Sequence, residues 1–189
     1  LRQRLILVVP AAVGGATLAR ALSAGDVAAV VLDAAAPGVA TEVVEAQGRG
    51  VAVLLAGEPA WPVRYGADGV HATGPLARRL AVVRGRPEGA TVGAVASTRH
   101  EAMTLGEAGA DYVWFGGPAC DDNGAELAAW WHALFEVPAV IEGPGGWLST
   151  MIATSAEFIA VNVFDGPDDA AVLVANATAS LSRGLPHEV

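Results

Sequence analysis

Short apolar runs alternate with helix-compatible stretches along this chain. Leu5-Ile6-Leu7-Val8-Val9 opens the series and predicts a first strand buried on both faces. Gly14-Gly15 precede a helix with Leu18 and Leu22 at helical spacing, and Gly25-Asp26 break it before a second strand, Val27 to Leu32, that stops at Asp33. Thr41 to Ala46 can be helical, closed by Gly48, and Gly50 to Leu55 is the third strand, ending near Glu58. Pro59, Trp61 and Pro62 leave room for only a short turn before a brief fourth strand, Gly69 to His71. Pro75 suits a first helical position and opens Leu76 to Val83. Thr91 to Ala96 is the fifth strand, and Ser97-Thr98 supply an N-cap for the helix through Glu101, Met103 and Leu105. Tyr112 to Phe115 is the sixth strand. A polar loop, Gly116 to Asn123, then leads into a helix carrying Leu127, Trp130, Trp131 and Leu134. Pro138 to Ile141 is the seventh strand, followed by Gly143-Pro144-Gly145-Gly146 and a helix to Thr154; Phe158 to Val161 is the eighth, and a last helix runs from near Pro167 to about Ser182.

One phrase recurs through this pattern. Gly66-Ala67-Asp68-Gly69-Val70 returns as Gly109-Ala110-Asp111-Tyr112-Val113 and, more loosely, as Ser155-Ala156-Glu157-Phe158-Ile159, at spacings of 43 and 46 residues. Each copy reads as a helix C-cap turning into a buried strand, and a further strand fits between copies. Eight strand candidates, each followed by at least a partial helix, predict one α/β domain over residues 1–189, a compact (β/α)₈ TIM barrel. A doubly wound open sheet is the rival fold, but Gly14-Gly15 lack the G-x-G-x-x-G spacing of a nucleotide-binding turn.

Composition narrows the function classes. Hydrophobic residues make up 53% of the chain and charged ones 16%, as buried parallel strands require. A net charge of −9 excludes a phosphate-reading nucleic-acid surface. No apolar run reaches the roughly 20 residues of a membrane span, and Leu5 to Val9 reads as a strand rather than a signal-peptide core. A single cysteine, Cys120, allows no internal disulfide and fits a cytoplasmic address. All eleven basic residues are arginine, so no lysine-dependent chemistry is open to the chain.

Barrel active sites form at the C-terminal ends of the strands. Those positions hold Asp33, Glu58, His71, Ser97, Thr98, Cys120, Asp121, Asp122, Glu142, Asn162 and Asp165, an acidic rim. Such a rim suits Mg²⁺ with oxygen ligands, recruited by Asp33, Asp121, Asp122 and Glu142, or else it consists of solvated loop residues and caps. Asp165 before Gly166-Pro167 reads as a turn. Gly143, Gly145 and Gly146 let backbone N–H groups approach a phosphate, and Asn162 and Val163 would complete the cup, although Pro144 removes one donor. His71, Asp33 and Glu142 are the candidates for acid–base work. His100 reads as a surface residue and makes no triad with Ser97. Cys120, flanked by aspartates, is a poor nucleophile. Two adjacent indoles, Trp130 and Trp131, cannot both face the barrel, which hints at a homodimer contact.

From the fourth strand onward the chain resembles the thiamine phosphate synthase family, including its TenI-like thiazole tautomerase branch. The resemblance rests on Gly66-Ala67-Asp68-Gly69-Val70-His71, on Ser97-Thr98 with Glu101-Ala102, and on Gly109-Ala110-Asp111-Tyr112-Val113 with Gly116. Pro138-Ala139-Val140-Ile141 leading to Gly145-Gly146, and Ile159-Ala160-Val161, complete the series. It implies a barrel binding a phosphorylated thiazole, which the synthases join to a pyrimidine diphosphate with magnesium. The family's Q-x-R-x-K signature falls on Val31, Asp33 and Ala35, its Asn-Asp pair on Ala56-Gly57, and its second magnesium aspartate near Leu76. Val95 aligns with a diphosphate-binding serine, Gly117 with the tautomerase histidine, and the lysine of the loop after strand six is absent. The chain therefore reads as a thiamine-metabolism barrel that binds a small phosphorylated, thiazole-type ligand with the family's catalytic residues largely missing. The alternative is a non-catalytic paralogue acting as a binding or protein-interaction module. A mouth plugged by Trp or Leu side chains would favour the latter.

Overall fold

Each apolar run becomes a strand of one parallel sheet that closes on itself. The structure, a computed structural model, describes residues 2–57, 60–119, 121–166 and 168–183. In chain order the elements are β1 (Arg4–Val9), α1 (Gly15–Leu22), β2 (Val27–Asp33), α2 (Val39–Gly48), β3 (Ala52–Ala56) and α3 (Ala60–Tyr65). Then come β4 (Gly69–Ala72), α4 (Leu76–Arg84), β5 (Thr91–Val95), α5 (Arg99–Glu107), β6 (Tyr112–Gly116) and α6 (Asp122–Leu134). After β7 (Ala139–Glu142) a 3-10 turn (Gly145–Trp147) runs into α7 (Leu148–Ala153), followed by β8 (Phe158–Val161) and α8 (Ala170–Arg183). The strands pair in sequence order and β8 pairs with β1 (Leu5 opposite Ile159), so this is the expected TIM barrel and not an open sheet. No helix among the described residues is long and apolar enough to cross a membrane.

Element boundaries shift for local reasons. The third strand starts at Ala52 rather than Gly50, because Gly50 at φ +75° closes α2 while the Val51 N–H bonds back to the Ala46 carbonyl. The expected start of the last helix near Pro167, and the rim positions Glu58 and Cys120, lie outside the described residues.

The period of two along each strand divides the apolar residues into two cores. Outward-facing Leu7, Leu32, Leu55, Phe115 and Ile141 pack under the helices against Leu18, Val43, Leu105, Trp131 and Met151. Burying such a side chain contributes about 1.5–3 kcal/mol. Inward-facing Ile6, Val31, Leu54, Tyr112, Trp114 and Val140 fill the barrel itself. Gly93 makes that filling possible. In register it stands between His71 and Tyr112, and a Cβ there would lie 2.2 Å from the Tyr112 ring.

The repeated phrase has a structural purpose at the opposite end from the mouth. Gly66 (φ +70°), Gly109 (φ +95°) and Ser155 (φ +61°) all turn the chain through the left-handed region. Two residues later, the Asp68 carboxylate accepts the Val53 N–H at 2.7 Å, Asp111 accepts that of Val92 at 2.7 Å, and Glu157 accepts that of Ala139 at 2.7 Å. Each acid thereby satisfies an N–H in the first two residues of the preceding odd-numbered strand. Gln47, Arg86 and His132 respectively pair with the same three carboxylates.

Trp130 and Trp131 both find cover within the chain. Trp131 is buried, donates its indole N–H to the Val137 carbonyl at 2.7 Å and stacks on Phe135. Trp130 packs edge-on to Phe135 beneath the Arg99 guanidinium. As expected, the two indoles do not both face the barrel: Trp131 is buried and Trp130 is half-buried.

Candidate functional site

The C-terminal end of the barrel is floored by a line of inward-facing side chains from β4, β6 and β7. Trp114 sits at the centre, 1% exposed, and its Nε1 donates to Glu142 Oε2 at 2.9 Å. The His71 imidazole lies against the other side of that indole, with ring centroids 4.4 Å apart, and its Nδ1 hydrogen-bonds the Tyr112 hydroxyl at 3.0 Å. Burial lowers the His71 pKa to about 4, so the imidazole is neutral at pH 7. Burial, helped by the Asp111 charge, pushes the Tyr112 phenol up. Burial also raises the Glu142 carboxyl, against the opposing pull of the Trp114 hydrogen bond.

His71 is therefore a member of the barrel filling and is not poised at the mouth as an acid or base. Glu142 does not belong to a solvated acidic rim either. It is 8% exposed, the last inward residue of β7. Oε1 makes no hydrogen bond to a described residue and is not among the atoms sealed from solvent, and Glu142 stands at the C-terminal end of β7.

The other rim candidates do not converge on Glu142. Asp33 is exposed and accepts the Ala35 N–H at 2.9 Å, a local turn. Asp121 caps α6 through the Gly124 N–H at 3.0 Å, and Asp122 is the exposed first residue of that helix. Thr98 caps α5 by accepting the Glu101 N–H, while the Glu101 carboxylate accepts the Ser97 N–H. Asn162 accepts the Phe164 N–H at 2.9 Å and donates to Asp165. A cleft of about 320 Å³ opens between β5, β6 and α6, lined by Ala96, Ser97, Gly116, Gly117, Asp121 and Leu127.

The arrangement does not fit a magnesium site of the expected kind. Among the described residues no three His, Cys, Asp or Glu side chains come together to hold a metal ion. At the position where the resemblance puts an aspartate stands Gly57, at φ +138°, and a Cβ there would meet the Trp61 ring at 2.6 Å. An acidic side chain cannot be restored at 57 without displacing that indole.

The glycine turn after β7 is more open. The Gly145 and Gly146 N–H groups begin the 3-10 turn and have no acceptor within it, and nothing lies within 4 Å of a Cβ at either position. Gly143 differs, since its N–H bonds the Ala160 carbonyl at 3.2 Å. Val163 is buried in the outer core.

The sequence reading missed three members of this region. Tyr112 and Trp114 lie within the expected sixth strand; their i, i+2 spacing, matched by Gly93/Val95 and Val140/Glu142 on the neighbouring strands, was the available signal. Arg79 lies within the helix expected over Leu76 to Val83. It is buried beneath the β5 end, where it binds Glu101 with two nitrogens at 2.9 and 3.1 Å and donates to the Val95 carbonyl. That contact holds the Glu101 carboxyl below its usual range.

No family model matches the chain. Curated relatives do. The thiamine-phosphate synthase of Rhodospirillum centenum is 38% identical over 187 aligned positions, covering 85% of this chain and 86% of that protein. The thiamine-phosphate synthase of Hyphomonas neptunium is 35% identical over 211 positions, covering 93% of each. Among solved structures, the thiamine phosphate pyrophosphorylase from Pyrococcus furiosus superimposes with a TM-score of 0.80 at 17% identity, over 97% of this chain and 98% of that one. With that length of shared sequence on a shared barrel, the chain belongs to the thiamine-phosphate synthase family.

Proposed function

We propose that this protein binds a small phosphorylated, thiazole-type compound of thiamine metabolism at the mouth of its barrel. The observation that carries the reading is the turn at Gly145-Gly146, whose N–H groups open a helix and whose surroundings are clear of side chains. Such amides attract a phosphate through their partial positive charge. Asn162, at the end of the neighbouring β8, supplies a polar side wall, whereas Gly143 and Val163 take no part, since the Gly143 N–H bonds the Ala160 carbonyl and Val163 is buried in the outer core.

Conversion of the ligand is a separate matter, and four observations favour a non-catalytic module. Trp61 covers the Gly57 position, and Trp114 fills the barrel centre where a deeper substrate would sit. The whole chain has no lysine to meet a diphosphate. With Asp33 engaged in a turn, Asp121 capping α6 and Asp122 exposed at the start of that helix, Mg²⁺ has no assembled donor set among the described residues.

A thermal-shift titration with thiazole phosphate and with pyrimidine diphosphate, each with and without Mg²⁺, tests the reading. Thiazole phosphate should stabilise the protein by about 2.7 kcal/mol at a hundredfold excess over Kd. Gly145→Asp should abolish the shift. A protein that responds to neither compound is not a thiamine-precursor binder, and its function then lies with a protein partner.

A further inference from the structure

The carboxyl of Glu142 occupies an unusual place. It faces into a barrel whose inner surface is otherwise apolar or aromatic at that level, and its orientation is fixed on one side only. Oε2 is held by the Trp114 indole at 2.9 Å, the indole is braced by His71, and His71 is braced by Tyr112. Oε1 has no partner among the described residues, is not sealed from solvent, and belongs to the last residue of β7, at the C-terminal end of the barrel. A half-satisfied buried carboxyl is costly, and an empty barrel floor gains nothing from it.

The same short segment carries the open glycine amides. Gly145 follows Glu142 by three residues, a span of at most about 11 Å. A phosphate at Gly145-Gly146 therefore leaves a ring on a short tether within reach of Glu142. A carboxylate so close to a phosphate would repel it, whereas a neutral carboxylic acid would not. The burial that raises the Glu142 pKa favours the neutral form. A neutral acid held by an N–H donor at Oε2 presents its proton from Oε1, and an aromatic ring nitrogen is a matching acceptor.

Resting on the phosphorylated-heteroaromatic reading above, we propose that Glu142 Oε1 hydrogen-bonds the ring nitrogen of the bound ligand, with Trp114 holding the carboxyl in position. Glu142 is then the specificity element of the mouth. It selects azaheterocycles over other phosphorylated rings of the same size, while the glycine turn holds the phosphate of either.

The test is a thermodynamic cycle on the full chain. Calorimetry compares thiazole phosphate with its thiophene counterpart, in which C–H replaces the ring nitrogen, on the wild type, Glu142→Met and Glu142→Gln. A hydrogen bond to a buried carboxyl corresponds to about a tenfold preference for the thiazole in the wild type. Glu142→Met, which keeps the volume, should remove that preference. Glu142→Gln, whose amide both accepts from Trp114 and donates to a ring nitrogen, should retain most of it and also covers the case of a Met variant that does not fold. Equal affinities for the two rings in the wild type overturn this inference alone, as does a preference that survives in Glu142→Met. Failure of both compounds to bind the wild type overturns the ligand reading and this inference together.

Discussion

Trp114 and Glu142 meet inside the barrel as donor and acceptor, 2.9 Å apart, where neither reaches bulk water freely. The indole is the carboxyl's sole hydrogen-bond partner among the described residues, so removing it leaves a buried acid unsatisfied. Trp114→Phe should destabilise the protein by about 1–3 kcal/mol beyond the loss of ring area, measured by urea denaturation at pH 7. Glu142→Gln keeps an acceptor for the indole and should be tolerated far better. If the two variants cost the same, the contact is packing and nothing more.

The raised Glu142 pKa carries a sign for stability. Its folded value lies above its unfolded one, so the folded state binds the extra proton between them. Its favourable contribution is complete below the unfolded pKa and is lost as pH rises through the folded one. Glu142→Gln should therefore gain stability relative to wild type as pH increases from 4 to 8. A difference that stays flat over that range would show the carboxyl to be as well solvated in the fold as out of it.

His71 has the opposite dependence. Its pKa falls from 6.5 to about 4 on burial, so the unfolded chain binds more protons in that interval. Stability must drop as pH falls from 6.5 toward 4, by up to about 3 kcal/mol from this residue. His71→Asn, which does not titrate and still offers the Tyr112 hydroxyl a partner, should flatten the slope in denaturation curves taken across that range. Persistence of the full slope in the variant would move the acid sensitivity elsewhere.

The fold was legible because its signals are local. Apolar runs bounded by glycines mark strands buried on both faces, and the recurrence of Gly-Ala-Asp after 43 residues, and of its looser form Ser-Ala-Glu after a further 46, marks pairs of βα units. The floor of the mouth was not legible in the same way. Glu142 sits next to Gly143 and reads as a rim acid until the pleat is known; the register that places it inward beside Trp114 depends on three strands at once. Asp33 and Asp121 looked available to a metal, yet each accepts an N–H from within three residues, in a turn and a cap, while Asp165, expected in a turn, accepts from Asn162. Arg79 was hidden by its type, since a helix arginine is normally exposed, and only the tertiary position of Glu101 accounts for its burial.

Gly93 is a packing requirement with a measurable cost. Its Cα lies between His71 and Tyr112 in the ladder, and the Tyr112 ring crosses above it to reach His71. A Cβ at 93 would stand 2.2 Å from that ring, so Gly93→Ala forces the tyrosine aside and breaks the hydrogen bond. About 1–3 kcal/mol should be lost through overpacking. Adding Tyr112→Leu should recover part of it, because the smaller side chain vacates the contested space. Strict additivity of the two substitutions would rule out the clash as the cause.

Ser155 is the strained member of the repeated turn. It is the one non-glycine with positive φ among the described residues, at φ +61°, where the first two copies of the phrase have Gly66 and Gly109. A side chain costs roughly 1–2 kcal/mol in that region, part of which is offset because glycine gives the unfolded chain more freedom to lose. The third copy compensates locally. The Thr154 hydroxyl accepts the Ala156 N–H at 3.2 Å, whereas the Ala110 N–H of the second copy reaches back to the Leu105 carbonyl at 3.1 Å. Ser155→Gly should therefore stabilise the protein by about 0.5–1 kcal/mol. Gly109→Ser, which installs the strain without the threonine, should destabilise it by at least as much. Both are read from chemical denaturation midpoints at constant slope. A larger effect at 109 than at 155, with opposite signs, is the expected result if the Thr154 hydroxyl offsets part of the serine strain in the third copy; equal magnitudes would leave that hydroxyl no such role.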